Sequence, residues 1–287
     1  DVLDNYNGSV YIVWGMQDWN VDPYHAFPTH ELLRQQGINV RTIAGQWAHN
    51  YPDQPDRHSE VTSGYGAEAY PNMTRFDWAV ELFPWFEYYL KGIGDEPESY
   101  VQMQRNDGRW HIEETWPPED AYGEIWNFER PVVEWVSSTS GGFVQTFATP
   151  GDSPIHISGL PTLHIDVSTG LCNGGQLFVT MKDGESGLRL GHATMDVRYR
   201  DGGYESKATS SLSSYRMLME FNPMDVVVSS GFLTLEFTES GEDYIPSPCA
   251  ATGLFVESFD LYLPLIDREE NHEAWFDVPP WWEVQEM

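Results

Sequence analysis

Two near-continuous apolar hexapeptides, VYIVWG (Val10 to Gly15) and VRTIAG (Val40 to Gly45), stand on either side of a stretch long enough for one helix. Runs of this kind suit strands covered on both faces, as in a parallel sheet, and not the in-and-out alternation of a half-solvated strand. Between them the sequence predicts a helix over about Pro23 to Gln36. Pro23 stands near its start, Gly37 ends it, and Pro28 is expected to kink or delay it. The three pieces make an αβ unit with buried strands.

Residues 51 to 73 are rich in Pro, Gly, Asp and Tyr without periodicity and read as a long loop. A second helix is predicted over about Arg75 to Leu90. Thr74 with Asp77 gives a capping signal, Phe76, Ala79, Val80, Phe83, Phe86 and Leu90 recur at helical spacing, and Gly92 terminates it. Pro84 predicts a kink. From about Tyr100 the texture changes to short alternating runs punctuated by Gly, Asp and Pro, among them PTLHIDVST, GQLFVTMKDG and FLTLEFTES. About nine strands at such spacing predict an antiparallel sandwich or jelly roll. The fold class expected is therefore α/β plus all-β, with residues 1–96 forming the α/β part and residues 97–287 the β-rich part.

Composition excludes several functions. The chain carries 45 Asp plus Glu against 15 Lys plus Arg, a net charge of -30, so it repels polyanions and nucleic acid is not expected as a partner. Acidic disordered chains lack aromatics, whereas 12 Trp, 15 Tyr and 14 Phe are present here, so the carboxylates must decorate folded surfaces. A protein from a halophile fits this balance best, because in molar salt the Debye length shrinks to about 3 Å and self-repulsion is screened. No run is long and apolar enough to predict a membrane span, and the first residues, DVLDNYNGSV, lack the features of a signal peptide. A start at Asp without an initiator Met hints at a processed product or a piece of a longer chain.

Cys172 and Cys249 each sit in a Gly- or Pro-containing loop. They form one disulfide or remain two thiols; the sequence leaves both open. No Cys/His spacing suggests zinc. The sequons at Asn7 and Asn72 and the cysteine pair lean toward the exterior or cell surface, although an acidic surface suits a salt-loaded cytoplasm equally.

Open α/β sheets place functional groups just beyond the carboxyl ends of their strands. Asp18 follows the first apolar run and His49 follows the second. In α/β-hydrolases an acid follows one late strand and a histidine the next, the carboxylate holding the imidazole in the tautomer that accepts a serine proton. An Asp after a strand also serves as a helix N-cap, and a lone loop His is commonly solvated, so topology alone leaves both roles open.

The flanking residues add to this. GMQDWNVDP (Gly15 to Pro23) followed by GQWAHNYP (Gly45 to Pro52) resembles the acid and histidine segments of the X-Pro dipeptidyl-peptidase family. RFDWAVELFPWFEYYLKG is similar to that family's last hydrolase helix, VQMQRNDGRWHIEETWPP to the start of its C-terminal domain, and ISGLPTLHIDVST to strands of its jelly roll. The resemblance covers nearly the whole chain and is strongest over residues 1–118. It implies an α/β-hydrolase serine enzyme in which Asp18 is the triad acid and His49 the base, followed by a non-catalytic jelly-roll β-sandwich. Cocaine esterases, α-amino-acid ester hydrolases and glutaryl acylases share these segments, so peptide, ester and amide substrates all remain open. No metal or organic cofactor is implied.

One departure is decisive for the expected chemistry. The chain contains no G-x-S-x-G nucleophile elbow, which in this fold precedes the acid. The serine and oxyanion donors are therefore expected upstream, in an N-terminal portion of the same hydrolase that acts as this chain's partner. Alone the chain is expected to be inactive, and both apolar runs are expected to be edge strands of a sheet whose center is missing. A homo-oligomer is compatible with the sequence.

Other residues read more plainly. Trp19 and Asn20, beside the acid, are candidates for bordering the substrate, with packing as the alternative for Trp19. His25 and His30 are expected to be solvated, and His111 and His164 to face solvent or a cross-strand carboxylate. Asp183-Gly184-Glu185 predicts a hairpin turn. A second class is also carried: a non-enzymatic β-sandwich binding or surface module whose αβ prefix is only a docking element. The enzyme class requires a carboxylate oxygen of Asp18 roughly 2.6 to 3.2 Å from a ring nitrogen of His49.

Overall fold

The computed structural model describes residues 6–18, 21–49, 51–53, 74–127, 134–149, 154–202, 205–241, 244–269, 271–279 and 283. It divides into two compact units, Asp1–Asp120 with Asp267–Met287, and Ala121–Ile266.

The first unit is built on the sheet β1 (Val10–Gly15), β2 (Val40–Gly45), β3 (Tyr100–Gln104), β4 (Trp110–Glu113) and β16 (Trp275–Phe276), in that spatial order. β1, β2 and β3 are parallel, while β4 and β16 run antiparallel to their neighbors. β2 is buried at every position, as its apolar run predicts, because it has a strand on either side. β1 is only half-buried and forms the sheet edge. Of the two runs expected at an edge, only the first is there; β3, expected in the β-rich domain, flanks β2 instead.

That pairing also moves the expected division between residues 96 and 97. β3 and β4 belong with the parallel strands, and the tail returns to the same sheet through β16. Arg268 fixes this return, because its guanidinium is bonded to both Glu113 and Asp120.

After a short 3-10 turn at Pro23–His25, helix α1 (Ala26–Gln35) links β1 to β2. Pro28 falls in its first turn, where backbone N–H groups have no intrahelical acceptor. The α-helix starts at Ala26, three residues later than the expected Pro23, which is the delay expected of this proline. Gly37 ends it with φ 72°, a conformation that L side chains resist. His30 is not solvated: it is 1% exposed, with Nδ1 2.8 Å from Thr42 Oγ1 on β2.

Helix α2 (Trp78–Phe86) passes directly into a π-helical turn, Glu87–Lys91, ended by Gly92 at φ 67°. The expected cap fails here. Asp77 stands at the N-cap but caps no backbone N–H. Its carboxylate is taken by Arg75, a guanidinium 1% exposed that also donates to Gln102 Oε1 at 2.6 Å and lies 4.6 Å from the Trp110 ring. A buried cation must be neutralized, and that demand outweighs a cap worth about 1 kcal/mol. The apolar stripe faces outward, with Phe83, Phe86 and Leu90 exposed by 56%, 47% and 76%. The buried residue of α2 is Trp85, packed edge-on against Tyr11 at 5.3 Å.

The second unit is all-β. One sheet takes the order β11 (Arg189–Asp196), β10 (Gln176–Asp183), β14 (Phe232–Thr238), β7 (Phe143–Ala148). The other runs β12 (Ser214–Glu220), β9 (Thr162–Thr169), β15 (Leu254–Ile266), β8 (Ile155–Gly159), β13 (Met224–Val228), and β5 (Tyr122–Asn127) and β6 (Glu134–Val136) also pair with β15. Every pairing is antiparallel, and alternate residues of β9, β14 and β15 are buried, which is the pattern of strands facing a core on one side. Phe237 of one sheet meets Phe259 of the other at 5.1 Å. Gly184–Leu188 joins β10 to β11 as the predicted hairpin. Cys172 and Cys249 are joined in a disulfide. His164 is exposed as expected.

Candidate active site

Gly15 and Gly45 are paired in register at the carboxyl ends of β1 and β2, and the loops that follow them cross closely. A Cβ at Gly15 would lie 2.5 Å from the Trp47 carbonyl oxygen, and one at Gly45 would lie 1.8 Å from the Trp47 ring. Both positions therefore require glycine for close approach, which lets the two loops share a narrow space. Main-chain bonds join them, Met16 N donating to Gly45 O at 2.8 Å and Gln17 N to Trp47 O at 3.1 Å. Trp47 is itself buried and packs against Trp110 at 6.0 Å.

This crossing brings Asp18 and His49 together. Asp18 Oδ2 is 2.8 Å from His49 Nδ1, inside the range that acid–base work requires. The other carboxylate oxygen accepts from Val21 N at 2.9 Å, so Asp18 also closes a local turn. The N-cap role belongs to a different residue, Asp22, which accepts from Tyr24 N. The Asp18 side chain is 9% exposed and that of His49 55%. A fixed carboxylate at Nδ1 makes the neutral ring carry its proton there, which leaves Nε2 as the basic nitrogen.

Beside the pair lies a cavity of about 510 Å³. Its walls include Trp14, Trp47, Tyr51 and Trp78, with Asp18 and His49 at one side. Tyr51 and Trp78 are stacked at 6.0 Å. The cavity is thus lined mainly by apolar side chains, four of them aromatic, which suits an apolar group held next to the imidazole. Trp19 and Asn20 lie outside the described residues.

Two further histidines have carboxylate partners. His111 is fully buried, with Nδ1 2.5 Å from Glu113 Oε1 of its own strand. In the second unit His156 and Ser158 both bond Asp225, at 2.7 and 2.6 Å, so the carboxylate separates serine from histidine and no proton relay between them is formed. His25 is exposed as expected.

Three further residues near the pair, Gln17, Gln46 and Gln104, lie inside the segments that carry the resemblance but were not legible as site residues. The signal available was an amide within two residues of the end of each of the first two apolar runs. Their bonding is described below.

Comparison with solved structures defines the fold as that of CocE/NonD-type hydrolases. A Staphylococcus aureus CocE/NonD family hydrolase aligns with a TM-score of 0.55 at 12% identity, over 90% of this chain and 54% of that one. An aminopeptidase from a marine sediment Thaumarchaeota archaeon aligns at 0.62 and 14% identity, over 90% and 55%. An α-amino acid ester hydrolase aligns at 0.56 and 14% identity, over 88% and 55%. At the level of sequence, 119 residues are 27% identical to a Bacillus anthracis protein that bears the name Xaa-Pro dipeptidyl-peptidase, covering 41% of this chain and 16% of that protein. No family model matches the chain. The family resemblance seen in the motifs is met again in a sequence match over 41% of this chain, and the structural comparison shows a similar fold. The chain spans about half the length of the solved relatives, 54% to 55%, and its curated match covers 16% of the relative.

Proposed function

We propose that this chain is the C-terminal portion of a serine hydrolase similar to X-Pro dipeptidyl-peptidases, supplying the acid and the histidine of its triad. The single observation that carries the proposal is the 2.8 Å contact between Asp18 Oδ2 and His49 Nδ1 at the ends of adjacent parallel strands. His49 Nε2 would take the proton of an attacking serine and return it to the leaving group, while Asp18 holds the ring and stabilizes the imidazolium. The serine and the oxyanion donors come from an N-terminal portion of the enzyme. The edge of β1 and the outward apolar face of α2 at Phe83, Phe86 and Leu90 favor such a partner, since both present surface that a larger sheet and its helices would cover. The second unit is proposed as the non-catalytic jelly roll. Cleavage after a penultimate proline is the favored activity, and ester or acyl-amide hydrolysis the alternative that the named relatives bring. The acidic surface is proposed as an adaptation to molar salt.

The test is denaturing mass spectrometry of the native protein kept in molar KCl and treated with a fluorophosphonate serine probe. A second, labelled polypeptide supports the split triad, and X-Pro anilides, esters and acyl-amides then separate the activities. A monodisperse, unlabelled sample of this chain alone that binds no hydrophobic dye overturns it in favor of a binding module. In the assembled enzyme Asp18→Asn should lower kcat by on the order of 10³- to 10⁴-fold, because the wrong tautomer is then favored. Unchanged turnover would remove Asp18 from the mechanism.

A further inference from the structure

The carboxamide of Gln46 ties together three loops at the carboxyl end of the sheet. Its Oε1 accepts from Gln17 Nε2 at 2.8 Å, and its Nε2 donates to the Gln104 carbonyl at 2.8 Å. Its backbone N–H donates in turn to Gln104 Oε1 at 3.0 Å. Gln17 immediately precedes Asp18, Gln104 ends β3, and Gln46 opens the loop that carries His49. Gln46 is 1% exposed and Gln104 2%.

Only a primary amide fits this place, because it must accept on one side and donate on the other. A carboxylate would have no proton for the Gln104 carbonyl, and an apolar side chain would leave both neighboring groups without this partner. A buried polar group deprived of its bond costs about 1 to 3 kcal/mol. The bridge therefore resists any slip of the acid loop against the histidine loop, and a slip of a few tenths of an ångström is enough to weaken the contact from Asp18 to His49.

We infer that Gln46 is a positioning residue: it sets the register between the Asp18 loop and the His49 loop, and through it the tautomer of His49. The inference rests on the proposed role of these two residues. It can nevertheless be tested without catalysis, in the 287-residue chain.

Selective nitrogen-15 labelling of histidine lets NMR distinguish Nδ1–H from Nε2–H in each ring. In the pH range where His49 is neutral, the native chain should show it mainly as the Nδ1–H tautomer, since that nitrogen faces the carboxylate. Gln46→Met should convert His49 to the Nε2–H form that an unconstrained imidazole prefers. Gln17→Met breaks the same bond from its more accessible side and decides the matter should the first variant not fold. Ile43→Val, a buried change in β2 that leaves the bridge intact, should keep the native tautomer.

If the native ring is Nε2–H, both the paired role of Asp18 and His49 and the inference fall. If the native ring is Nδ1–H and stays so in folded Gln46→Met, or in Gln17→Met where only that variant folds, the inference alone falls. A loss of the native tautomer in Ile43→Val would show general destabilization to be the cause and would also overturn it.

Discussion

At the scale of single residues, His30 shows how far an environment can depart from a local pattern. A histidine on a crossover helix reads as solvated, yet α1 turns it onto β2, where it is buried against Thr42. Burial disfavors the charged ring and lowers its pKa from 6.5 to about 4. The unfolded chain binds a proton below 6.5 that the native ring refuses, so the contribution of His30 to stability is present above 6.5 and is lost as the pH falls toward 4. The slope approaches about 1.4 kcal/mol per pH unit. His30→Gln should remove this component. Urea unfolding of both proteins at fixed high salt should show a difference that shifts in favor of the variant between those pH values, and parallel curves would disprove it. Asp18 was easier to place, because a polar residue directly after a buried strand is informative in itself. Its alternative role, a helix N-cap, was equally local and falls to Asp22; of the Asp18 oxygens, one accepts from Val21 N and the other meets His49.

At the scale of elements, the site depends on two loops that cross with no room for a methyl group. Gly45→Ala would drive a Cβ into the Trp47 ring, a large group already packed on Trp110. A loss of about 3 kcal/mol is expected from such overpacking, together with loss of the contact from Asp18 to His49. Gly37→Ala makes the contrast: its Cβ meets nothing, so only the strain of its positive φ applies, about 1 kcal/mol. Chemical denaturation of the two variants should separate them by that margin, and equal midpoints would mean that the loop crossing yields easily. Helix α2 teaches the opposite lesson about periodicity. Its apolar spacing is real, but the face that touches the sheet is set by Trp85 and by the buried Arg75 just before it.

At the scale of the whole molecule, a disulfide and the net charge act on the chain as a whole. Cys172 and Cys249 close a loop with a sequence separation of 77, and Cys172→Ser with Cys249→Ser should lower stability by about 4 kcal/mol through the freed unfolded state. Equilibrium unfolding of the oxidized protein against the double variant measures this, and a difference under about 1 kcal/mol would rule it out. The charge of -30 predicts that the melting temperature rises from dilute buffer to molar KCl as self-repulsion is screened. Calorimetry across a KCl series checks it; a flat or falling trend would remove the case for salt adaptation.

The sequence by itself determined what is local: two apolar strands joined by a helix, the polar residues in the loops that follow them, and the change from continuous to alternating apolar runs that marks the β-rich region. These signals lie within a few residues of one another, and burial imprints them on the chain with the period of each element. Only the tertiary structure decided which strand became the edge, that β3 and β4 join the parallel strands, and that residues 267–287 come back to the same unit. It alone joined the cysteines, turned α2, and placed Gln46 between Gln17 and Gln104. Such choices are made by partners far apart in sequence, and a strand or a side chain carries the same local pattern whichever distant neighbor it meets.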